Sequence, residues 1–407
     1  MAQPLRDELE AILRGWNAYE IARGANPVID FDLRPDLTEA LPIESRLGAY
    51  HRCLDLLARA KDAGATHVED RARSDATYLA ALLGARLPLG DYIARTQGCD
   101  AIGWRPEYIA FRRTQLQNAL ARVGIDWGPK TTEQLHDLQG PISTEEAAIE
   151  IRNAAEEFEP AVRAATGTTA GYHLSVETAD VDAYWNYWLD GSDSNIRLRL
   201  NTRRAHFTRT RSRQAALHEV LAHGLQSASI AQYSRTHDVP WIRLFSVHAQ
   251  QQTLLEGLAQ ALPLFVAPDD ALTTTVRLAH YLQLVRAELH LAVNLGDSID
   301  SSVAYARERA PFWDDEDISD ALIDRSVNPL LRSYLWSYAA GIDWFVNLAE
   351  ADGPVARVLQ AAYQEPLRPI DLAELWPEGP RIGGSHDWVP PDIALPFRAS
   401  ATSPRSE

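Results

Sequence analysis

Two histidines five residues apart, with a glutamate directly after the first, constrain the local fold of this 407-residue chain more than any other feature. They lie in Arg213-Gln-Ala-Ala-Leu-His218-Glu219-Val-Leu-Ala-His223-Gly-Leu-Gln226. A regular α-helix turns about 100° per residue, so a spacing of four returns two side chains to within about 40° of each other. A spacing of five leaves them roughly 140° apart, on different sides. Both can reach one metal ion only if the helix widens locally, as in a π-bulge, or ends near the second histidine. Gly224, directly after His223, tolerates either distortion. A non-ideal turn is therefore expected between His218 and His223.

A catalytic zinc site takes three protein ligands and leaves a position open for water. The next acid in a suitable setting is Glu256, in Thr253-Leu-Leu-Glu256-Gly257-Leu-Ala-Gln-Ala-Leu. A charge in such an apolar helical run is costly unless it is paired or bound to metal. His248, Glu288 and His290 are alternative third ligands, and an ion pair with an arginine is the structural alternative for Glu256. Two imidazoles and one carboxylate would hold one zinc per chain with room for a water. Glu219, beside the first ligand, is then the natural general base. The chain has 12 histidines, so a His-Glu pair alone carries little weight. The surrounding elements supply the rest of the argument.

Those elements read as mainly α. Residues 1–168 carry apolar residues at helical spacing, for example over 5–22 and over 42–63, where Leu47, Tyr50, Leu54 and Leu57 share a face. Gly84 suits a helix C-cap, Pro106 a helix start, and Ser143 with Glu146 a capping box. A small antiparallel sheet is expected over 169–210. Its clearest strand is Ile-Arg-Leu-Arg-Leu-Asn-Thr at 196–202, where apolar residues alternate with polar ones. An aromatic-rich segment at 183–189 reads as strand or short helix. Helices return over 211–365, the zinc-binding region, and 366–407 reads as an irregular tail.

Composition narrows the function classes. Lys+Arg number 39 and Asp+Glu 56, a net charge of −17, which argues against nucleic acid as a partner. Two cysteines, Cys53 and Cys99, exclude a disulfide scaffold or a cysteine-held cluster. No apolar run has secretory or membrane-spanning length, so no membrane partner and a cytoplasmic location are expected.

The motif residues also carry a family resemblance. His218-Glu219-Val-Leu-Ala-His223, preceded by the strand at 196–202 and followed by Leu255-Glu256-Gly257-Leu258-Ala259, resembles the HExxxH metallopeptidases. These include the microtubule-associated tyrosine carboxypeptidases and the bacterial QEGLA-motif proteins. The resemblance implies a zincin-like, gluzincin-type fold with His218, His223 and Glu256 as zinc ligands and Glu219 as base. Leu255 departs from it, standing where the bacterial motif has glutamine. A broader resemblance is to a large family of mostly helical bacterial proteins related to zinc carboxypeptidases. It rests on Leu225-Gln226, on His290 in its helix, and on the run from Asn328-Pro329 to Tyr338 and Gly341. The Pro-Gly that this family has before its last motif histidine is missing here, and Arg286 stands where it has an acid.

These readings imply a zinc-dependent hydrolase, carboxypeptidase-like, cleaving an amide of a short peptide or amino-acid-derived small molecule. The alternatives are a biosynthetic metal-dependent hydrolase or lyase, and a non-catalytic helical binding protein with a degenerate site. Retention of Glu219 favours a catalyst. An oxyanion needs a second donor, and Tyr338 is the leading one, with Tyr334 and His290 behind it. A clamp on a substrate carboxylate would come from Arg332 or Arg286, with Arg204 and Arg277 as further choices.

Overall fold

Capping residues set many of the helix boundaries. The computed structural model describes residues 2–182, 185–204, 206–351 and 353–384. Its N-terminal part contains α1 (Ala2–Ala22), α2 (Arg46–Asp62), α3 (Thr66–Leu82) and α4 (Leu89–Thr96). These are followed by α5 (Pro106–Arg122), α6 (Thr131–Gln139) and α7 (Thr144–Thr166). Ser45 caps α2 by accepting from the Gly48 amide at 3.0 Å. Pro106 opens α5, where its missing N–H leaves no bond unmade. Ser143 and Glu146 form the expected reciprocal box on α7, and Gly167 ends that helix in the left-handed conformation at φ 74°.

The buried face of α2 is not the one its larger apolar residues suggest. Ala49, Cys53, Leu56 and Ala60 point inward, whereas Leu47 and Leu54 are 51% and 39% exposed. The small residues allow close packing on α1 and α3, whose Leu9, Leu13, Val68 and Ala72 share the same cluster. Periodicity located the helix, but the side that needed small residues was set by its neighbours.

The expected antiparallel sheet is a mixed sheet of five strands. These are β1 (Phe31–Asp32), β2 (His173–Ala179), β3 (Tyr187–Ser192), β4 (Asn195–Asn201) and β5 (Leu244–Phe245), in the spatial order β2-β4-β3-β1-β5. A tight turn at Asp193, φ 57°, makes β3 and β4 antiparallel. That hairpin has two free edges, and β2 takes the one on β4, pairing in parallel with Val176 opposite Leu198. β1 then joins β3 in parallel and β5 antiparallel. Along β4, Ile196, Leu198 and Leu200 are buried, the alternation read from the sequence.

After the sheet come α8 (Arg209–Ala215), a π-helix (Ala216–Leu225) and α9 (Gln226–Thr236), continuous along the chain. Next are α10 (Gln252–Ala261), α11 (Pro263–Val266), α12 (Asp270–Leu295) and α13 (Ile299–Arg309). The last are α14 (Asp315–Ser326), α15 (Pro329–Glu350), α16 (Val355–Ala362) and α17 (Pro369–Leu375). α17 falls inside the segment expected to be irregular, opened by a proline in its first turn. Residues 385–407 lie outside the described residues. Cys53 and Cys99 are buried thiols that form no disulfide. Among the described residues, no helix is long and apolar enough to cross a membrane.

α10 and α15 cross with almost no separation. A Cβ on Gly257 would stand 2.5 Å from the Gly341 backbone, and one on Gly341 would stand 2.3 Å from the Thr253 carbonyl oxygen. Asp343 locks the other side of α15. Its Oδ2 accepts from Trp104 Nε1 at 2.8 Å, and its Oδ1 from Tyr108 at 2.6 Å and His280 at 2.8 Å. Asp343→Asn can turn an amide N–H toward one of these donors. It is expected to lower unfolding free energy by about 1–3 kcal/mol, read from urea denaturation. An unchanged midpoint would count against this network as a structural tie.

Candidate metal centre

The non-ideal turn expected between the histidines is present and extends over the ten residues Ala216–Leu225. Hydrogen bonding from i to i+5 brings side chains five apart onto one face. The His218 and His223 rings accordingly lie 4.8 Å apart between centroids, nearly perpendicular at 87°. The widened backbone is tied to its surroundings. Tyr363 donates its hydroxyl to the Leu221 carbonyl at 2.8 Å, and Gln226 donates to the Ala362 carbonyl at 2.8 Å. Gly224 has a second role besides tolerating distortion. A Cβ there would meet Ile196 Cδ1 at 2.7 Å, so the glycine lets β4 lie directly against the π-helix.

α10 supplies the third group. Glu256 Oε2 stands 3.6 Å from His218 Nε2 and 3.8 Å from His223 Nε2. The donor atoms of the three residues all lie within 4.8 Å of one another. Oε1 of Glu256 accepts from the Tyr334 hydroxyl at 2.5 Å, and Tyr334 meets the Tyr338 hydroxyl at 2.7 Å. Oε2 is buried and has no hydrogen-bond partner. A bare buried carboxylate oxygen is costly unless a cation faces it. Donors at about 2.1 Å from a tetrahedral zinc sit about 3.4 Å from one another, so the two Glu256–imidazole spacings need only slight contraction, while the widest spacing, up to 4.8 Å, must close further. Two imidazoles and a carboxylate also suit zinc chemically.

The electrostatics of His223 and Glu256 agree with that donor set, whereas His218, against the effect of burial, is raised by Glu256 and Glu219 and must give up a proton to bind an ion. Burial pushes the His223 imidazole down to about 4, which keeps it neutral and its lone pair available. Burial works against ionisation of Glu256, but His218, His223 and the Tyr334 hydroxyl more than offset it and hold its carboxyl below the usual value. Glu219 lies beside the triad, its Oε1 3.9 Å from His218 Nε2. Burial pushes its carboxyl up to about 7, despite the opposing pull of His218.

The triad opens on a cavity of about 120 Å³, which Glu219, Tyr334 and Tyr338 also line. Six of the residues expected at a site are thus brought together. The others are used elsewhere. His290 is buried against Trp336, with ring centroids 5.6 Å apart. Arg332 donates to Asn294 Oδ1 at 2.6 Å and to the Leu87 carbonyl at 2.9 Å. It lies two residues from Tyr334, about 200° around α15, and so faces away from the cavity. Arg286 lies over the Trp313 ring at 5.0 Å, and Arg277 pairs with Glu350 at 2.7 Å. Among the alternative ligands, His248 bonds Asp75 at 2.8 Å, and Glu288 accepts from the Trp104 amide at 3.4 Å. The Arg204 side chain lies outside the described residues.

The opposite wall went unread in the sequence. It is built by Asp30, Phe31 and Phe245 from the β1 and β5 segments and by Trp185, Tyr187 and Trp188 around β3. The only signal was the aromatic run at 183–189, which carries no cavity role by itself. Among the described residues, the lining includes three carboxylates, Asp30, Glu219 and Glu256, and no arginine or lysine.

No protein-family model matches the chain, and no curated protein matches its sequence. Among solved structures, the chain is similar to a candidate lipoprotein from Colwellia psychrerythraea, with a TM-score of 0.50 and 12% identity. The match covers 72% of this chain and 53% of that one, so the chain spans about half its length. A distant structural neighbour is an M32 carboxypeptidase from Deinococcus radiodurans R1, with a TM-score of 0.35 and 12% identity over 81% of this chain and 75% of that one. At 12% identity the likeness to the Colwellia protein is one of fold alone.

Proposed function

We propose that the chain is a zinc-dependent hydrolase that cleaves an amide bond in a short peptide or amino-acid conjugate. The observation that carries this reading is the unpartnered, buried Oε2 of Glu256, facing two imidazoles beside the free-standing acid Glu219. His218, His223 and Glu256 would hold the ion. A zinc ion there supplies Lewis-acid polarisation of a carbonyl and acidifies water. Glu219 takes the proton from the attacking water and passes it to the departing nitrogen. The Tyr338 hydroxyl, which donates to Tyr334 while Tyr334 donates to Glu256, turns its one proton from Tyr334 to the oxygen on which negative charge develops. The aromatic wall limits access of bulk water to the reacting bond. A cavity of about 120 Å³ takes a small end group, which favours short substrates. Among the described residues no arginine or lysine lines the cavity, so this reading assigns no clamp on a free carboxylate.

Metal analysis of purified protein supplied with zinc tests the ligand set. Wild type is expected to bind one zinc per chain. Glu256→Ala is expected to bind on the order of 100-fold more weakly, since the loss of groups that merely support a ligand costs 10–100-fold. Unchanged affinity in that variant would remove Glu256 from the site.

A further inference from the structure

The wall opposite the triad presents an acid with no assigned partner. Asp30 is pinned by its backbone: its amide donates to the Phe245 carbonyl at 2.9 Å, and its carbonyl accepts from the Gly191 amide at 3.2 Å. The sheet therefore fixes where the side chain stands. The Val247 amide bonds the carboxyl, whereas Oδ2 is shielded from solvent and has no hydrogen-bond partner. Phe31, Phe245, Trp185 and Trp188 line the triad cavity with it, and no arginine or lysine does among the described residues; Arg14 and Arg197 line a second cavity that Asp30 also borders, where they are paired with Asp32 and Asp190. Arg71, the cation whose field reaches Asp30, is spent on Asp75, Ser246 and the Leu244 carbonyl.

We propose that Asp30 and the aromatic wall form a subsite for a primary ammonium group, so that the substrate of the proposed hydrolase enters with a cationic amine opposite the triad. Three features of an ammonium ion fit. It offers N–H donors to the bare Oδ2. It is attracted to the faces of tryptophan and other aromatic rings. It also relieves the repulsion between Asp30 and Asp190, which remains once zinc offsets the charge of Glu256. Burial, joined by those two charges, pushes the Asp30 carboxyl up to about 7, the mark of an acid lacking its counter-ion. A substrate carboxylate beside Asp30 would face the like charge of that acid.

This inference rests on the zinc reading, and the two can fail separately. The probes are hydroxamates, which bind zinc through a group common to all of them: leucine hydroxamate, N-acetyl-leucine hydroxamate and Nα-acetyl-lysine hydroxamate. Binding to zinc-loaded protein is measured by calorimetry. At least one amine-bearing probe is expected to bind about 10- to 100-fold more tightly than acetyl-leucine hydroxamate, the worth of a buried hydrogen bond to a charged group. Preference for leucine hydroxamate identifies an α-ammonium group, and preference for the acetyl-lysine compound a side-chain ammonium. Asp30→Asn is expected to abolish the preference while zinc stoichiometry and acetyl-leucine hydroxamate binding persist. Equal binding of all three probes to wild type overturns the subsite and leaves the metal reading standing. So does a preference that survives in Asp30→Asn. If zinc itself does not bind stoichiometrically, the metal reading falls and the subsite with it.

Discussion

On the proposed hydrolase reading, Glu219→Gln protein is expected to bind zinc at the wild-type stoichiometry and to turn over an amide substrate about 10²- to 10⁴-fold more slowly. The substitution keeps the size and shape of the side chain, so the π-helix and the cavity should survive it. What it removes is the capacity to accept a proton. Glu219 lies adjacent to the triad without belonging to it: Glu256, not Glu219, has the bare oxygen facing both histidines. Metal content and kcat measured on the same preparation separate the two roles. Full turnover in the variant would end the general-base assignment. Loss of zinc would make Glu219 a ligand instead.

A methyl group at either glycine of the α10–α15 crossing is expected to damage stability and metal binding together. Gly257→Ala and Gly341→Ala each place a Cβ within 2.5 Å of backbone atoms that no rotamer change can move. Overpacking of a core commonly costs 1–3 kcal/mol when side chains can yield. Here the helices themselves must separate, so a loss of about 3 kcal/mol or more is expected. Separation also pulls Glu256, on α10, away from Tyr334, on α15, across their 2.5 Å hydrogen bond. Zinc affinity should therefore fall with stability. Chemical denaturation and zinc titration of the same variants check this, and wild-type values in both would show that the crossing is not a constraint.

The crossing also shows where sequence reading succeeds and where it stops. Glu256 stood out because a lone acid in an apolar helix needs a partner. Gly257 beside it gave no comparable sign, since its reason is Gly341, far along the chain on another helix. The histidine spacing carried its own geometric demand, and the π-helix met it. Caps at Ser143 and Pro106 were legible for the same reason: each acts within one helical turn. The sheet was legible only where alternation is local, in β4. β1 and β5 are two residues long and show no period, so their pairing and the parallel placement of β2 could not be inferred. Arginine was the least readable residue type. Arg332 and Arg286 have the chemistry of a substrate clamp, but long side chains find partners across the fold, and these two are held by Asn294, the Leu87 carbonyl and Trp313.

The two-residue strand β1 has a consequence for how the protein is born. Phe31 pairs with Gly191 on one side and Phe245 on the other, so the far wall of the cavity joins three distant stretches of chain. Helices can form as a chain leaves the ribosome, but closures of this span come late and slowly. Asp30 and Phe31 are synthesised early and must wait for residue 245 before their strand is flanked. The triad needs residue 256, and the tyrosine brace residue 338. No nascent chain short of that point carries the triad with its tyrosine brace, so the site is assembled only near the end of synthesis.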